Sequence, residues 1–277
     1  MHITGSNLKI SASPFAWFDG KGASYWDGGG YGQGCQKPIF SMFEVKNSTL
    51  RGLKILNSPA HAFMIGESYD SSFIDFEVDD SLGDVNDLAE NTDGIHLLQS
   101  SNIVVIGAKI HNQDDCVCIT SGCNVTISNI TCIGGGLSVG SIGKNRINEV
   151  EKVSFSHSTI TSSLYGILIK AWAGMNGTVG HISFEDIVLI DVRKYGIAVT
   201  QGWTSQGIES TAKSGVRITD LIMSDVTGNV LEKGQDVAIN CAKGGCDNFA
   251  WNKVNVLGGK GTHIKHSFVP KGALYAH

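Results

Sequence analysis

Two apolar patterns recur along the whole chain, out of phase with each other, and few folds can accommodate both. The first puts side chains for the interior at positions one, four and six. It reads Leu50-Leu53-Ile55, Phe73-Phe76-Val78, Val105-Ala108-Ile110, Ile127-Ile130-Cys132, Phe155-Ser158-Ile160, Phe184-Ile187-Leu189 and Ile218-Leu221-Met223. The second falls between those runs: Gly94-Ile95-His96-Leu97, Cys116-Val117-Cys118-Ile119, Gly136-Leu137-Ser138-Val139, Gly166-Ile167-Leu168-Ile169 and Gly196-Ile197-Ala198-Val199. A loose repeat of about 20–35 residues marks a solenoid. Alternation of period two turns the second and fourth residues of the latter set inward and the others outward. Stacking such strands coil on coil gives an all-β, single-stranded parallel β-helix filled by columns of apolar side chains. A β-sandwich with irregular loops is the alternative; two registers that repeat in step favour the solenoid.

The composition agrees. Thirty-five glycines against 4 prolines, with no long stretch of helical periodicity, describe strands broken by many turns. No linker or low-complexity segment interrupts the 277 residues, so residues 1–277 read as one domain. A net charge of −5 without a basic block argues against a nucleic-acid partner. No apolar run is long enough for a transmembrane helix. Met1 to Ser6 carries no leader-like basic or apolar region, and strand-like sequence begins almost at once, so the first coil is expected to lack a polar cap. Of 7 cysteines, Cys116 with Cys132 and Cys241 with Cys246 are spaced for short loops, which leaves Cys35, Cys118 and Cys123. Spacing alone does not settle pairing. Sequons at Asn47, Asn124, Asn129 and Asn176 add weak support for secretion.

In a parallel coil the outward positions form ladders with rungs about 4.8 Å apart. The residues just before the second-register strands read Asp93, Asp115, Gly135, Tyr165, Tyr195; the first outward column reads His96, Cys118, Ser138, Leu168, Ala198; the next reads Leu98, Thr120, Gly140, Lys170, Thr200. Asp93 and Asp115 therefore come one rung apart, with Asp114 beside them. Like charges so close repel, and at least one carboxyl pKa should rise. Three acids in one groove suit inverting glycoside hydrolysis: one protonates the leaving oxygen while another activates water on the opposite face. A lone Asp before a strand would be an ordinary turn residue; two acidic clusters one coil apart are not.

Asn91-Thr92-Asp93-Gly94 and Gln113-Asp114-Asp115-Cys116 resemble the paired signatures of the polygalacturonases, family 28 of the glycoside hydrolases. Gly136 to Gly143 resembles that family's third block, Tyr165-Gly166-Ile167-Leu168-Ile169-Lys170 its fourth, and Asp19-Gly20-Lys21-Gly22 with Tyr25-Trp26-Asp27-Gly28 its early coils. The resemblance covers essentially the whole chain. It implies a right-handed parallel β-helix that cleaves α-1,4 bonds of pectin or oligogalacturonides with inversion, endo-acting, extracellular, monomeric and without cofactor or metal. It implies Asp114 as general acid, Asp93 and Asp115 as holders of the water, and disulfides Cys116–Cys132 and Cys241–Cys246. Asn91, Gln113, Lys170, Trp203, Tyr165 and Tyr195 are the implied substrate-binding residues.

The chain departs from that pattern in places. One residue is missing from the third block, so Gly135 stands in the slot of the family histidine, a group worth on the order of 10²–10⁴-fold. Leu168 replaces an arginine, leaving Lys170 as a lone charge where a bidentate clamp is usual. Trp203 takes the place of a tyrosine. The family's leader, further N-terminal coil and last disulfide are not in this sequence. These losses allow a second expectation, a non-catalytic pectin-binding protein, and a third, hydrolysis of a less acidic pectin backbone. His96 reads as a surface histidine, although it could reach the cleft. His111 falls in an inward register and reads as structural. Tyr165, Tyr195 and Trp172 could stack on sugars or pack between coils. Cys118 and Cys123 read as buried thiols or a local pair, not nucleophiles. The cysteines and histidines show no metal-ligand spacing.

Overall fold

The computed structural model of the chain describes residues 1–209, 211–213 and 215–265. Its strands run as three parallel ladders of successive coils, forming the expected right-handed parallel β-helix. One ladder passes through Phe40–Lys46, Phe63–Gly66, Ile95–Leu98, Val117–Ile119, Leu137–Ile142, Tyr165–Trp172, Tyr195–Thr204 and Gln235–Asn240. A second joins Tyr69–Ile74, Ser100–Ile106, Gly122–Ser128 and the long strands Glu149–Thr161, Gly177–Val192 and Val216–Val230. The third takes Lys54–Leu56, Glu77–Asp79, Lys109–His111 and Thr131–Ile133. Two short 3-10 turns, Gly22–Ser24 and Ser81–Asp84, interrupt the strands.

Register follows the alternation. Ile95, Val117, Leu137, Ile167, Ile197 and Val237 form one inward column, and Leu97, Ile119, Val139, Ile169, Val199 and Ile239 the next. All twelve belong to one continuous buried core. Each such side chain contributes about 1.5–3 kcal/mol by leaving water, and a one-residue slip would turn a whole column outward. In the other register Val105, Ile127, Phe155 and Phe184 stack as expected, with the Phe155 and Phe184 rings 4.6 Å apart. The final step differs: Phe184 pairs with Met223, and Ile218 lies beside Val179. The last coil is longer, so a motif match by apolar positions alone slipped along it.

Asx residues at one corner take left-handed backbone, with φ of 53° at Asp70, 55° at Asn102 and 55° at Asn124. Asn and Asp tolerate that region because their short polar groups can bond locally. Here they bond along the axis: Asn124 Nδ2 donates to Asn102 Oδ1 at 2.8 Å, and Asn102 Nδ2 to Asp70 Oδ1 at 2.7 Å.

Both suggested disulfides are present, Cys116–Cys132 and Cys241–Cys246. Cys118 is a buried free thiol, but Cys123 is exposed and unpaired, contrary to a buried or locally paired state; Cys35 is also exposed. Cys123 sits on an outward position at the start of its strand, beside Ser101 and Glu151 of the neighbouring coils. His111 is a second correction. It pairs with Asp79 and Ile133 on the outer face, and its Nε2 lies 2.7 Å from Asp84 Oδ2, while Ile110 is the inward residue.

Candidate active site

The outward face of the first ladder carries the acidic groups. Gly94 N–H donates to Asp115 O at 2.9 Å, and Ile95 N–H to Cys116 O at 2.9 Å. These bonds stack the Asp93 turn on the Asp115 turn. A short bracket holds the two turns together: Gln113 N–H donates to Thr92 Oγ1 at 3.0 Å, and Thr92 Oγ1–H to Gln113 Oε1 at 3.0 Å. Gln113 Nε2 donates onward to Asp80 O at 2.7 Å and to Asp84 Oδ1 at 2.9 Å. Gln113 was expected to touch substrate, but both its amide donors are committed to the scaffold.

The three carboxyls occupy different surroundings. Asp115 is buried; its Oδ1 accepts Ser138 Oγ–H at 2.5 Å and its Oδ2 accepts Lys170 Nζ–H at 2.7 Å. Asp93 is equally buried, and its carboxyl accepts its own backbone N–H. His61 Nε2 lies 3.6 Å from its Oδ1 and His96 Nδ1 3.7 Å from its Oδ2. A carboxylate oxygen of Asp93, one of Asp115 and the Cys118 sulfur all fall within 4.8 Å of one another. Asp114 is only half-buried: its Oδ2 accepts Asn91 Nδ2–H at 3.0 Å and its Oδ1 accepts the Asp115 N–H at 2.7 Å. Asn91 Oδ1 in turn accepts the Tyr31 N–H at 2.8 Å, so Asn91 ties the early loop to Asp114.

Electrostatics follow from this arrangement. Burial pushes the Asp93 carboxyl well above its ordinary range, and the charges of Asp114 and Asp115 push it further. Burial also raises Asp115, with Lys170 pulling against the rise. Burial acts to lower the Lys170 ammonium, but Asp115 and its anionic neighbours more than offset this, so it is raised and stays protonated.

Beyond the acids lies an aromatic bank. Tyr165 and Tyr195 stack in parallel at 5.9 Å, and Trp203 meets Tyr165 edge-on at 6.2 Å. Leu168, Ala198 and Ala238 form the apolar floor beneath them. The half-buried rings both pack against each other and present edges to the groove. Lys194 lies over both tyrosines, whereas Lys170 is spent on Asp115, 5.0 Å from the Trp203 ring. Trp172 is the ladder partner of Trp203 and carries Lys144 over its ring at 3.4 Å.

Gly135 explains the vacant histidine slot. A Cβ there would meet Asp114 O at 1.7 Å and Cys116 N at 2.7 Å, so the backbone lies against the acidic turn with no room for a side chain.

His61 escaped the sequence reading. Phe63 pairs with Ile95, so the column holding Asp93 and Asp115 begins one coil earlier, at His61. Extending the outward ladder by one rung would have found it. His96 is not a surface histidine: it lies in the cleft, ring to ring with His61 at 4.8 Å, its Nε2 3.1 Å from Thr120 Oγ1. Together His61, Asp93 and His96 bring three donor atoms within 4.8 Å, a set invisible to spacing rules because it draws on two coils.

A parallel β-helix with three carboxyls converging on an outward groove defines a polysaccharide hydrolase. Residues 1–273 match the model of the glycosyl hydrolases family 28, and the chain belongs to that family. A probable endopolygalacturonase of Neosartorya fischeri is 39% identical over 265 residues, spanning 94% of this chain and 70% of that protein. Endopolygalacturonase I of Aspergillus aculeatus is 38% identical over 273 residues, spanning 98% and 71%. Among solved structures, endopolygalacturonase I from Stereum purpureum, complexed with two galacturonates, superposes with a TM-score of 0.87 at 28% identity, over 99% of this chain and 84% of that one.

Proposed function

We propose that this chain hydrolyses α-1,4-galacturonosidic bonds within polygalacturonate, attacking internal linkages and inverting the anomeric centre. The observation that supports the reading is the placement of three carboxyls in different surroundings on one outward face. Asp114, half-buried and open to the groove, is positioned to give its proton to the leaving oxygen. Asp93 and Asp115, with oxygens within 4.8 Å of each other, can share one water at ordinary hydrogen-bond lengths of about 2.7–2.8 Å. Ser138 and Lys170 fix Asp115 from two sides, so the water meets a preorganised acceptor. Tyr165, Tyr195 and Trp203 supply faces and edges for sugar rings.

A less acidic backbone is the second reading, and the floor under the aromatic bank favours it. Leu168 is apolar and Lys170 is engaged, so a neutral or esterified uronate fits that subsite better than a free carboxylate. Two disulfides support work in an oxidising, extracellular setting, where the sequons could carry glycans, and the chain is read as acting as a monomer.

Reducing ends released from polygalacturonic acid, against an Asp114→Asn control, test the reading. Release well above the control supports it; binding of oligogalacturonides with no release above the control assigns the chain to non-catalytic recognition.

A further inference from the structure

We propose that His61, Asp93 and His96 form a binding site for a divalent transition metal of the zinc class, opening onto the catalytic groove. The argument begins at Thr120. Its Oγ1 lies 3.1 Å from His96 Nε2 and 3.4 Å from Leu97 O; when the hydroxyl proton goes to Leu97 O, Oγ1 accepts the N–H of His96 Nε2. In that tautomer the neutral ring carries a bare lone pair on Nδ1, 3.7 Å from Asp93 Oδ2. A lone pair facing a carboxylate oxygen calls for a cation between them, and the gap is too wide for a shared proton. The Nδ1 atom is buried and has no hydrogen-bond partner among the described residues.

His61 approaches the other carboxylate oxygen with its Nε2. Its Nε2 lies 3.6 Å from Asp93 Oδ1, and its ring is held between Tyr31 at 5.2 Å and His96 at 4.8 Å. Its other ring nitrogen, Nδ1, is buried without a hydrogen-bond partner among the described residues. Tetrahedral zinc with legs near 2.0–2.1 Å needs donors about 3.3 Å apart; the three donors here lie within 4.8 Å of one another, so binding draws them together. Two imidazoles and one carboxylate are the ligand chemistry of zinc, nickel or copper, not of calcium or magnesium. The Thr120–His96 bond is the outer contact that such a ligand needs to hold its tautomer. Asp114 and Asp115 add negative charge nearby, with Lys170 the cation bonded among them. Three protein ligands leave a fourth position for water on the groove side.

The consequence for catalysis rests on the role given to Asp93 above: a metal held there removes that carboxylate from the water. Zinc should then act as a reversible brake on hydrolysis.

Zinc titrated calorimetrically into chelator-stripped protein, without substrate, tests the site directly. One zinc per chain is expected, with affinity lowered at least tenfold in His96→Gln and in His61→Gln. No stoichiometric binding, or equal affinity in both folded variants, overturns the proposal. Cobalt on the unaltered protein gives a second readout independent of variant folding. A tetrahedral nitrogen–oxygen ligand-field spectrum supports the site, and a thiolate charge-transfer band, placing the metal on a cysteine, overturns it. Binding is decided by these arms even if the chain proves not to be a hydrolase. If it is one, chelator-reversible inhibition should be at least tenfold weaker in His96→Gln than in the unaltered chain at equal zinc, a comparison that cancels zinc bound by the substrate.

Discussion

Lys170 donates from Nζ to Oδ2 of Asp115 across 2.7 Å, and both side chains are almost wholly removed from water. Fifty-five positions separate them in sequence, yet they close one corner of the groove. Removing one partner of such a pair leaves a buried charge uncompensated, at about 3–5 kcal/mol. Lys170→Met should therefore lower both the thermal midpoint and kcat, the latter by about 10²-fold or more. In a double-mutant cycle with Asp115→Asn, the stability losses should be markedly less than additive. Additive losses would show that the contact is not formed.

Gly135 should tolerate no side chain. Its missing Cβ is the space that lets the chain pass Asp114 O, and a methyl group there must displace the turn holding Asp114 and Asp115. A misplacement of about 1 Å at reacting groups can cost 10²-fold. Gly135→Ala is expected to lose activity on that scale, and restoring histidine at 135 without the missing residue should fail equally. Steady-state kinetics on both variants check this.

The Cys116–Cys132 bridge begins on the residue after Asp115 and joins two neighbouring coils. A loop of this size contributes about 3 kcal/mol to stability. The Cys116→Ser/Cys132→Ser double variant should unfold at lower denaturant by that amount and lose activity, as the acidic turn loosens. Equilibrium denaturation reads the first and polygalacturonate hydrolysis the second.

Asp80 gives the protein a pH-dependent stability term. Burial pushes its carboxyl up to about 7, against the pull of the Ser58 hydroxyl and of the Ser58 N–H at 2.6 Å. An aspartate in the unfolded chain titrates near about 3.9. Between those values the folded state holds more protons, so this group's contribution is most favourable below about pH 4 and is lost as pH rises to about 7. The loss is on the order of a few kcal/mol. Asp80→Asn should flatten that slope, so that the variant gains stability relative to the parent from pH 4 to 7. A constant difference across the range would contradict the assignment.

The fold was legible because its logic is periodic. The outward columns drawn from sequence, such as His96, Cys118, Ser138, Leu168 and Ala198, are the pairs that the ladder makes. Convergence of Asp93, Asp114 and Asp115 followed from the same register. What sequence could not supply was the use made of each group once in place. Gln113 and Lys170 look like free polar side chains until their partners are known, and those partners lie on other coils. His61 stood one rung beyond the column as drawn, and His96 packs ring to ring with it. The face of His111 is not legible from alternation, because its strand is only three residues long.

The central claim is that Asp114 protonates the leaving group in a groove whose water is held by Asp93 and Asp115. The most direct measurement is kcat on polygalacturonic acid for the parent and for Asp114→Asn, with product sizes followed in time. The account predicts early oligomeric products from the parent and a fall in kcat of about 10²–10⁴-fold with little change in KM for the variant. Parent activity no greater than that of the variant, or a variant that retains full kcat, would contradict it.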